Sequence, residues 1–190
     1  MIKLGITGGI GSGKSLVSRI LKMMGVPVYI ADAESKRLTN TSPQIKTALL
    51  SLFGEQIYED NVLNKTKLAS LIFSNEEYLA QVNRIIHPVV QADFVQWSNA
   101  QNASVVAMES AILFESGLNV SMDVVITVTA PAELRIRRVQ ERDNATRQQI
   151  MQRMSNQWSD EEKLKQSNFR IKNDEQQAVI PQIEEIVSRL

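Results

Sequence analysis

The sequence predicts an α/β fold, a parallel sheet flanked by helices, with a helical insertion. Two observations carry the fold. Short segments at residues 2–7, 26–30, 104–108 and 124–128 are rich in β-branched residues and nearly continuous in apolar character, as strands buried on both faces are. Segments of helical period separate them, which argues for crossover helices on both sides of the sheet.

The elements follow in order. Ile2-Lys3-Leu4-Gly5-Ile6-Thr7 is short and runs straight into glycines, as a buried strand does. After Lys14, apolar residues fall at Leu16, Val17, Ile20, Leu21 and Met24, the spacing of one helix face. Gly25 stands where a helix C-terminus favours a left-handed residue. Residues 26–30 read as a second strand, with Pro27 tolerable near its start. About seventy residues then separate Ile30 from Ser104, where a crossover needs only a dozen or more. They carry helical periodicity at Ile45, Leu49, Leu52 and Phe53, at Leu68, Leu71 and Ile72, and at Leu79, Val82, Ile85 and Ile86. Asn40-Thr41-Ser42-Pro43 is a loop or a helix start. The stretch reads as a helical insertion, residues 33–100, over one edge of the sheet. No repeat and no Pro/Gly/Ser linker divides the 190 residues into independent domains.

Composition narrows the chemistry. The chain is 43% hydrophobic and 22% charged, with 21 basic residues against 21 acidic ones, as expected of a globular chain with an ample core. It has no cysteine and one histidine, which excludes disulfides, thiolate metal sites, cysteine nucleophiles and multi-histidine zinc sites. A net charge of zero argues against nucleic acid, whose binders carry a basic excess or stripe. An anionic ligand must be met by a local cluster, which suits a small molecule. Neither a targeting segment nor an apolar run of membrane-spanning length is visible, so a soluble cytoplasmic protein is expected.

Gly8-Gly9-Ile10-Gly11-Ser12-Gly13-Lys14-Ser15 fits the phosphate-loop pattern G-x-x-x-x-G-K-[ST] at every required position. Glycines let such a loop turn its N–H groups inward on phosphate oxygens, and the following helix adds its positive end. The pattern assigns nucleotide contacts to Gly9, Ile10, Gly11, Ser12, Gly13, Lys14, Ser15 and Leu16. Lys14 reaches the β- and γ-phosphates, and the Ser15 hydroxyl ligates Mg²⁺. A dinucleotide GxGxxG reading fails in register, because its third glycine would fall on Lys14 or Leu16. The guanine signature [NT]KxD is absent, since Asn64-Lys65-Thr66-Lys67 lacks the acid. ATP is therefore the expected donor.

Other candidates keep more than one reading. Asp32, just past the second strand, is either a base or metal-shell acid at the ligand-binding edge of the sheet or an N-cap for a helix starting near Ala33. Arg138 and Arg142 share a helix face with Arg135 one turn earlier, in Leu134-Arg135-Ile136-Arg137-Arg138-Val139-Gln140-Glu141-Arg142-Asp143, and Arg147 follows. They serve a transferring phosphoryl group or form a solvated face paired with Glu141 and Asp143. His87-Pro88 closes an apolar helical run. Glu109 and Glu115 flank Ile112-Leu113-Phe114 as metal-shell acids, substrate contacts or surface residues.

In this order, residues 7–15, Asp32-Ala33, His87-Pro88, Ile112-Leu113-Phe114-Glu115, Arg138 to Arg142-Asp143 and Ile171-Lys172-Asn173 resemble the dephospho-coenzyme A kinase family over nearly the whole chain. The resemblance implies a single P-loop kinase domain over 1–190, with residues 33–100 as substrate-binding insertion and 131–160 as lid. It implies ATP- and Mg²⁺-dependent phosphorylation of the ribose 3′-hydroxyl of dephospho-CoA, the last step of coenzyme A synthesis. It makes Asp32 the catalytic base, Arg138 and Arg142 the lid arginines, His87 and Glu115 substrate contacts, and Asn173 a neighbour of the adenine. Its partners are small molecules, with no nucleic acid and no membrane, and the chain is a monomer or weak homo-oligomer. Leu16 stands where Thr is common, so Ser15 serves the metal alone, and Ala111, Asn168 and Glu175 also depart from the family pattern. The alternatives are another small-molecule or nucleoside monophosphate kinase, and a nucleotide-dependent switch without an acceptor.

Overall fold

The computed structural model describes residues 1–59, 62–73 and 75–190. β1 (Ile2–Thr7) leads through a glycine-rich loop into α1 (Lys14–Met23) and β2 (Val28–Ile30). There follow α2 (Ala31–Thr41), α3 (Pro43–Phe53), the two-residue strands β3 (Tyr58–Glu59) and β4 (Val62–Leu63), α4 (Lys65–Phe73) and α5 (Glu76–Asn99). β5 (Val105–Glu109) and β6 (Val124–Thr129) precede α6 (Ala132–Asp143), α7 (Arg147–Ser155) and α8 (Asp160–Lys165). β7 (Phe169–Lys172) and α9 (Val179–Val187) complete the chain. Contacts divide it into two units, Met1–Ile30 with Ala100–Leu190, and Ala31–Asn99.

The first unit is a five-stranded sheet in the order β2-β5-β1-β6-β7, with every pairing parallel. Parallel strands are covered on both faces, so β1 has no solvent-facing side to make polar. Leu4 and Ile6 are fully buried and pack with Val17 and Leu21 of α1, Ile126 and Val128 of β6, and Ile183 of α9. Gly5 has no side chain for a spatial reason, since a Cβ there would lie 2.7 Å from the Leu113 Cδ2.

The strands differ from the sequence reading at their ends. β2 spans three residues rather than five, because Pro27 has no N–H to give; only its carbonyl joins the sheet, accepting from the Ala107 N–H at 2.8 Å. β5 extends to Glu109. β7 and the β3–β4 pair were not foreseen. Four and two residues of mixed polarity are too short to show a period.

The second unit is helical apart from β3–β4, with α5 packed against α2, α3 and α4. Ser42 and Pro43 are a helix start. The Ser42 hydroxyl accepts the Ile45 N–H, and Pro43 stands where its missing N–H costs nothing. His87-Pro88 does not close a helix, contrary to the sequence reading. Pro88 lies inside the 24 residues of α5. Burial of Val82, Val90 and Phe94 on either side holds the helix through the lost hydrogen bond. No helix among the described residues is long and apolar enough to cross a membrane.

Candidate active site

The glycine-rich loop occupies the turn from the C-terminal end of β1 to the N-terminus of α1. Gly13, the residue before α1, has φ 99° and faces Asn173 so closely that a Cβ would lie 1.9 Å from its Nδ2. A side chain there is excluded by conformation and by space together. Lys14 folds back over the loop, its Nζ donating to the Gly8 carbonyl at 2.9 Å and the Gly9 carbonyl at 3.3 Å. The Ser15 hydroxyl donates to Glu109 Oε1 at 3.2 Å. Glu109 is the last residue of β5, is 8% exposed, and pairs in register with Ile6 of β1 and Ile30 of β2. The sheet itself therefore delivers a carboxylate to the first turn of α1.

A cavity of about 350 Å³ opens beside the loop, lined by Gly13, Lys14, Ser15, Arg138, Arg142 and Asn173 among others. Asn173 follows β7 and is 7% exposed; its Nδ2 donates to the Ser12 carbonyl at 2.9 Å. Arg138 donates to the Asn173 carbonyl at 3.1 Å and to Glu175 Oε1 at 3.3 Å. Arg142 is 62% exposed and paired with Asp143 at 2.7 Å. That hydrogen bond raises the Arg142 pKa and lowers that of Asp143.

The arginine cluster thus divides. Arg137 pairs with Glu175 and Arg147 with Glu133 in open solvent, and Arg142 pairs with Asp143, one of the two partners that the solvated-face reading named. Arg138 and Arg142 line the cavity, and Arg135 is buried.

Not every amide of the sequence-assigned loop faces the cavity for a ligand. The Ile10 N–H donates to Gln157 Oε1 at 2.9 Å, the Ser12 N–H to the Gly9 carbonyl, and the Leu16 N–H to the Gly13 carbonyl. The last two bonds belong to the tight turn and to the start of α1.

Glu115 accepts three hydrogen bonds within the first unit, from Lys163 Nζ at 2.7 and 3.0 Å and from the Trp158 N–H at 2.9 Å. Asp32 and His87 belong to the second unit. Asp32 is in the first turn of α2, which begins at Ala31, so it stands inside the helix rather than capping it. His87 is half-buried on α5, and burial lowers its pKa, favouring the neutral imidazole. Sequence reasoning gave no role to Gln157 or Lys163. Neither belongs to a motif, and only the fold brings Lys163 to a glutamate 48 positions away.

The family model for dephospho-CoA kinase matches residues 2–178. The chain belongs to the dephospho-CoA kinase family. A dephospho-CoA kinase of Bacteroides fragilis is 50% identical over 190 residues, covering 100% of this chain and 93% of that protein. Among solved structures, TT1252 from Thermus thermophilus is 31% identical with a TM-score of 0.84, covering 99% of this chain and 95% of that one. The dephospho-CoA kinase from Campylobacter jejuni shares the fold at 22% identity, with a TM-score of 0.70 over 98% and 96% of the two chains. Family membership makes this protein a phosphate-transferring kinase with ATP as its donor.

Proposed function

We propose that the protein transfers the γ-phosphate of ATP to the ribose 3′-hydroxyl of dephospho-CoA, giving coenzyme A and ADP. The observation that carries this reading is the placement of Lys14 and the Ser15–Glu109 pair at the head of α1, in a chain matched to the family from residue 2 to 178, helical second unit included.

The roles follow from the residues. The loop amides of Gly11, Gly13, Lys14 and Ser15, with the N-terminal end of α1, hold the phosphates. Lys14 exchanges its two carbonyl acceptors for phosphate oxygens of higher charge. The Ser15 hydroxyl and the Glu109 carboxylate are hard oxygen donors 3.2 Å apart, a set that suits Mg²⁺ held jointly by protein oxygens, water and substrate phosphates. When bound, Mg²⁺ neutralises charge on the β- and γ-phosphates. Asp32 accepts the 3′-hydroxyl proton as the new O–P bond forms and the bond from the γ-phosphorus to the β-phosphate oxygen breaks. Arg138 and Arg142 meet the charge of the transferring group. Asn173 borders the adenine, and the helical second unit, His87 included, binds dephospho-CoA. Glu115 acts at one remove, holding the segment 158–163.

ADP release tests the assignment directly. With Mg²⁺-ATP, dephospho-CoA is expected to stimulate ADP release far above nucleoside monophosphates or no acceptor. Equal turnover with a nucleoside monophosphate, or slow release independent of acceptor, would replace the reading with one of its alternatives. Within the same assay, Arg138→Ala and Arg142→Ala are each expected to lower kcat by roughly 10²-fold, and by more than they raise KM for ATP. An unchanged kcat would return them to the solvated face.

A further inference from the structure

The P-loop pattern requires Gly8 and Gly13, but the loop has two further glycines, and both lie against Arg135. A Cβ at Gly9 would stand 1.9 Å from Arg135 Nη2, and one at Gly11 would stand 2.5 Å from the Arg135 carbonyl oxygen. Arg135 projects from α6 and is only 8% exposed. Its Nε donates to the Ile10 carbonyl at 2.9 Å, and its Nη1 to Asp160 Oδ1 at 3.2 Å. The N–H of the same residue, Ile10, donates to Gln157 Oε1 at 2.9 Å. Both backbone polar groups of one loop residue are therefore held by side chains 125 and 147 positions away.

Burying a guanidinium is unfavourable unless its donors find acceptors, and this one divides its planar fork between a loop carbonyl and a carboxylate. The arrangement answers a problem of the loop's own making. Glycine loses more conformational freedom on ordering than any other residue. A loop with four glycines in six residues is therefore costly to fix at the moment of binding, unless something fixes it beforehand.

We propose that Arg135 and Gln157 are positioning residues for nucleotide binding. They hold Ile10 by its N–H and its carbonyl, so that the amides of Gly11, Gly13, Lys14 and Ser15 keep their phosphate-binding arrangement before ATP arrives. The proposal rests on the reading of the loop as the ATP site, and it concerns binding of the donor rather than the acceptor.

The test is calorimetric titration of the full-length protein with Mg²⁺-ATP, beside KM values for ATP and dephospho-CoA and the thermal unfolding midpoint. Arg135→Ala is expected to weaken ATP binding about tenfold, the effect of losing one hydrogen bond from a charged donor, with KM for dephospho-CoA unchanged. Arg135→Lys, which retains a single donor toward Ile10, is expected to recover part of that loss. Gln157→Leu is expected to act in the same direction, and the double variant to lose less than the product of the two, because both side chains hold the same residue. If Arg135→Ala does not fold, Arg135→Lys and Gln157→Leu carry the test. Unchanged ATP affinity in the folded variants would overturn the proposal. So would a weakening that follows only the fraction folded and affects both substrates equally. A wild-type protein that bound no ATP would instead overturn the reading of the loop itself.

Discussion

Asp32→Asn is expected to lower kcat by on the order of 10²–10⁴, the contribution of a positioned general base, while ATP binding is retained. Asparagine keeps the shape of the side chain and a hydrogen-bonding oxygen but cannot take a proton from the 3′-hydroxyl. The substitution also removes a negative charge from the first turn of α2. That interaction is worth only about 0.3–1 kcal/mol at an exposed helix end, so the fold survives it. Steady-state ADP release with dephospho-CoA, beside calorimetric titration with ATP, separates the two effects. Turnover near that of the wild type would end the assignment of Asp32 as base.

The second large effect is on stability. Lys163 is completely buried, and its ammonium has three acceptors, Glu115 Oε1 at 2.7 Å, Glu115 Oε2 at 3.0 Å and the Ala111 carbonyl at 2.8 Å. Three protons meeting three oxygens is full satisfaction of a lysine. Lys163→Met keeps the volume but leaves Glu115, itself 15% exposed, as a carboxylate without its counter-charge. Removing one partner of a buried pair costs about 3–5 kcal/mol. For a chain of this size that lowers the unfolding midpoint by on the order of 10 °C. Adding Glu115→Gln to Lys163→Met removes the stranded charge and is expected to return part of the loss. Thermal denaturation followed by circular dichroism decides it, and an unaltered midpoint for Lys163→Met would show that the pair contributes nothing.

How much of this was legible in the sequence depends on the range of the interactions involved. The β1–loop–α1 unit was legible almost residue by residue, because a buried strand, a glycine-rich turn and an amphipathic helix each leave a local pattern. Glu109 had three readings until the sheet was in view. Its place beside Ser15 comes from a strand register in which Glu109 meets Ile6, and a register between segments a hundred residues apart leaves no local trace. Pro88 misled for the opposite reason. A strong local rule against proline in helices was outweighed by the packing of α5. Arg135 stood in plain view one turn before Arg138, yet nothing local distinguishes an arginine that grips a loop carbonyl from one that faces water.

The position of β1 in the middle of the sheet has a consequence for synthesis of the chain. β1 leaves the ribosome well before either of its partner strands, Val105–Glu109 and Val124–Thr129. Until those segments emerge, the apolar residues of β1 have no neighbouring strand on either side, and the glycine-rich loop has no fixed strand to hang from. Non-local pairings of this kind are slow to form, because the intervening chain must be closed first. The residues of the phosphate loop are thus synthesised well before β5 and β6, the strands on either side of β1. A nascent chain stopped short of β6 would contain every residue of the phosphate loop without the sheet that shapes it.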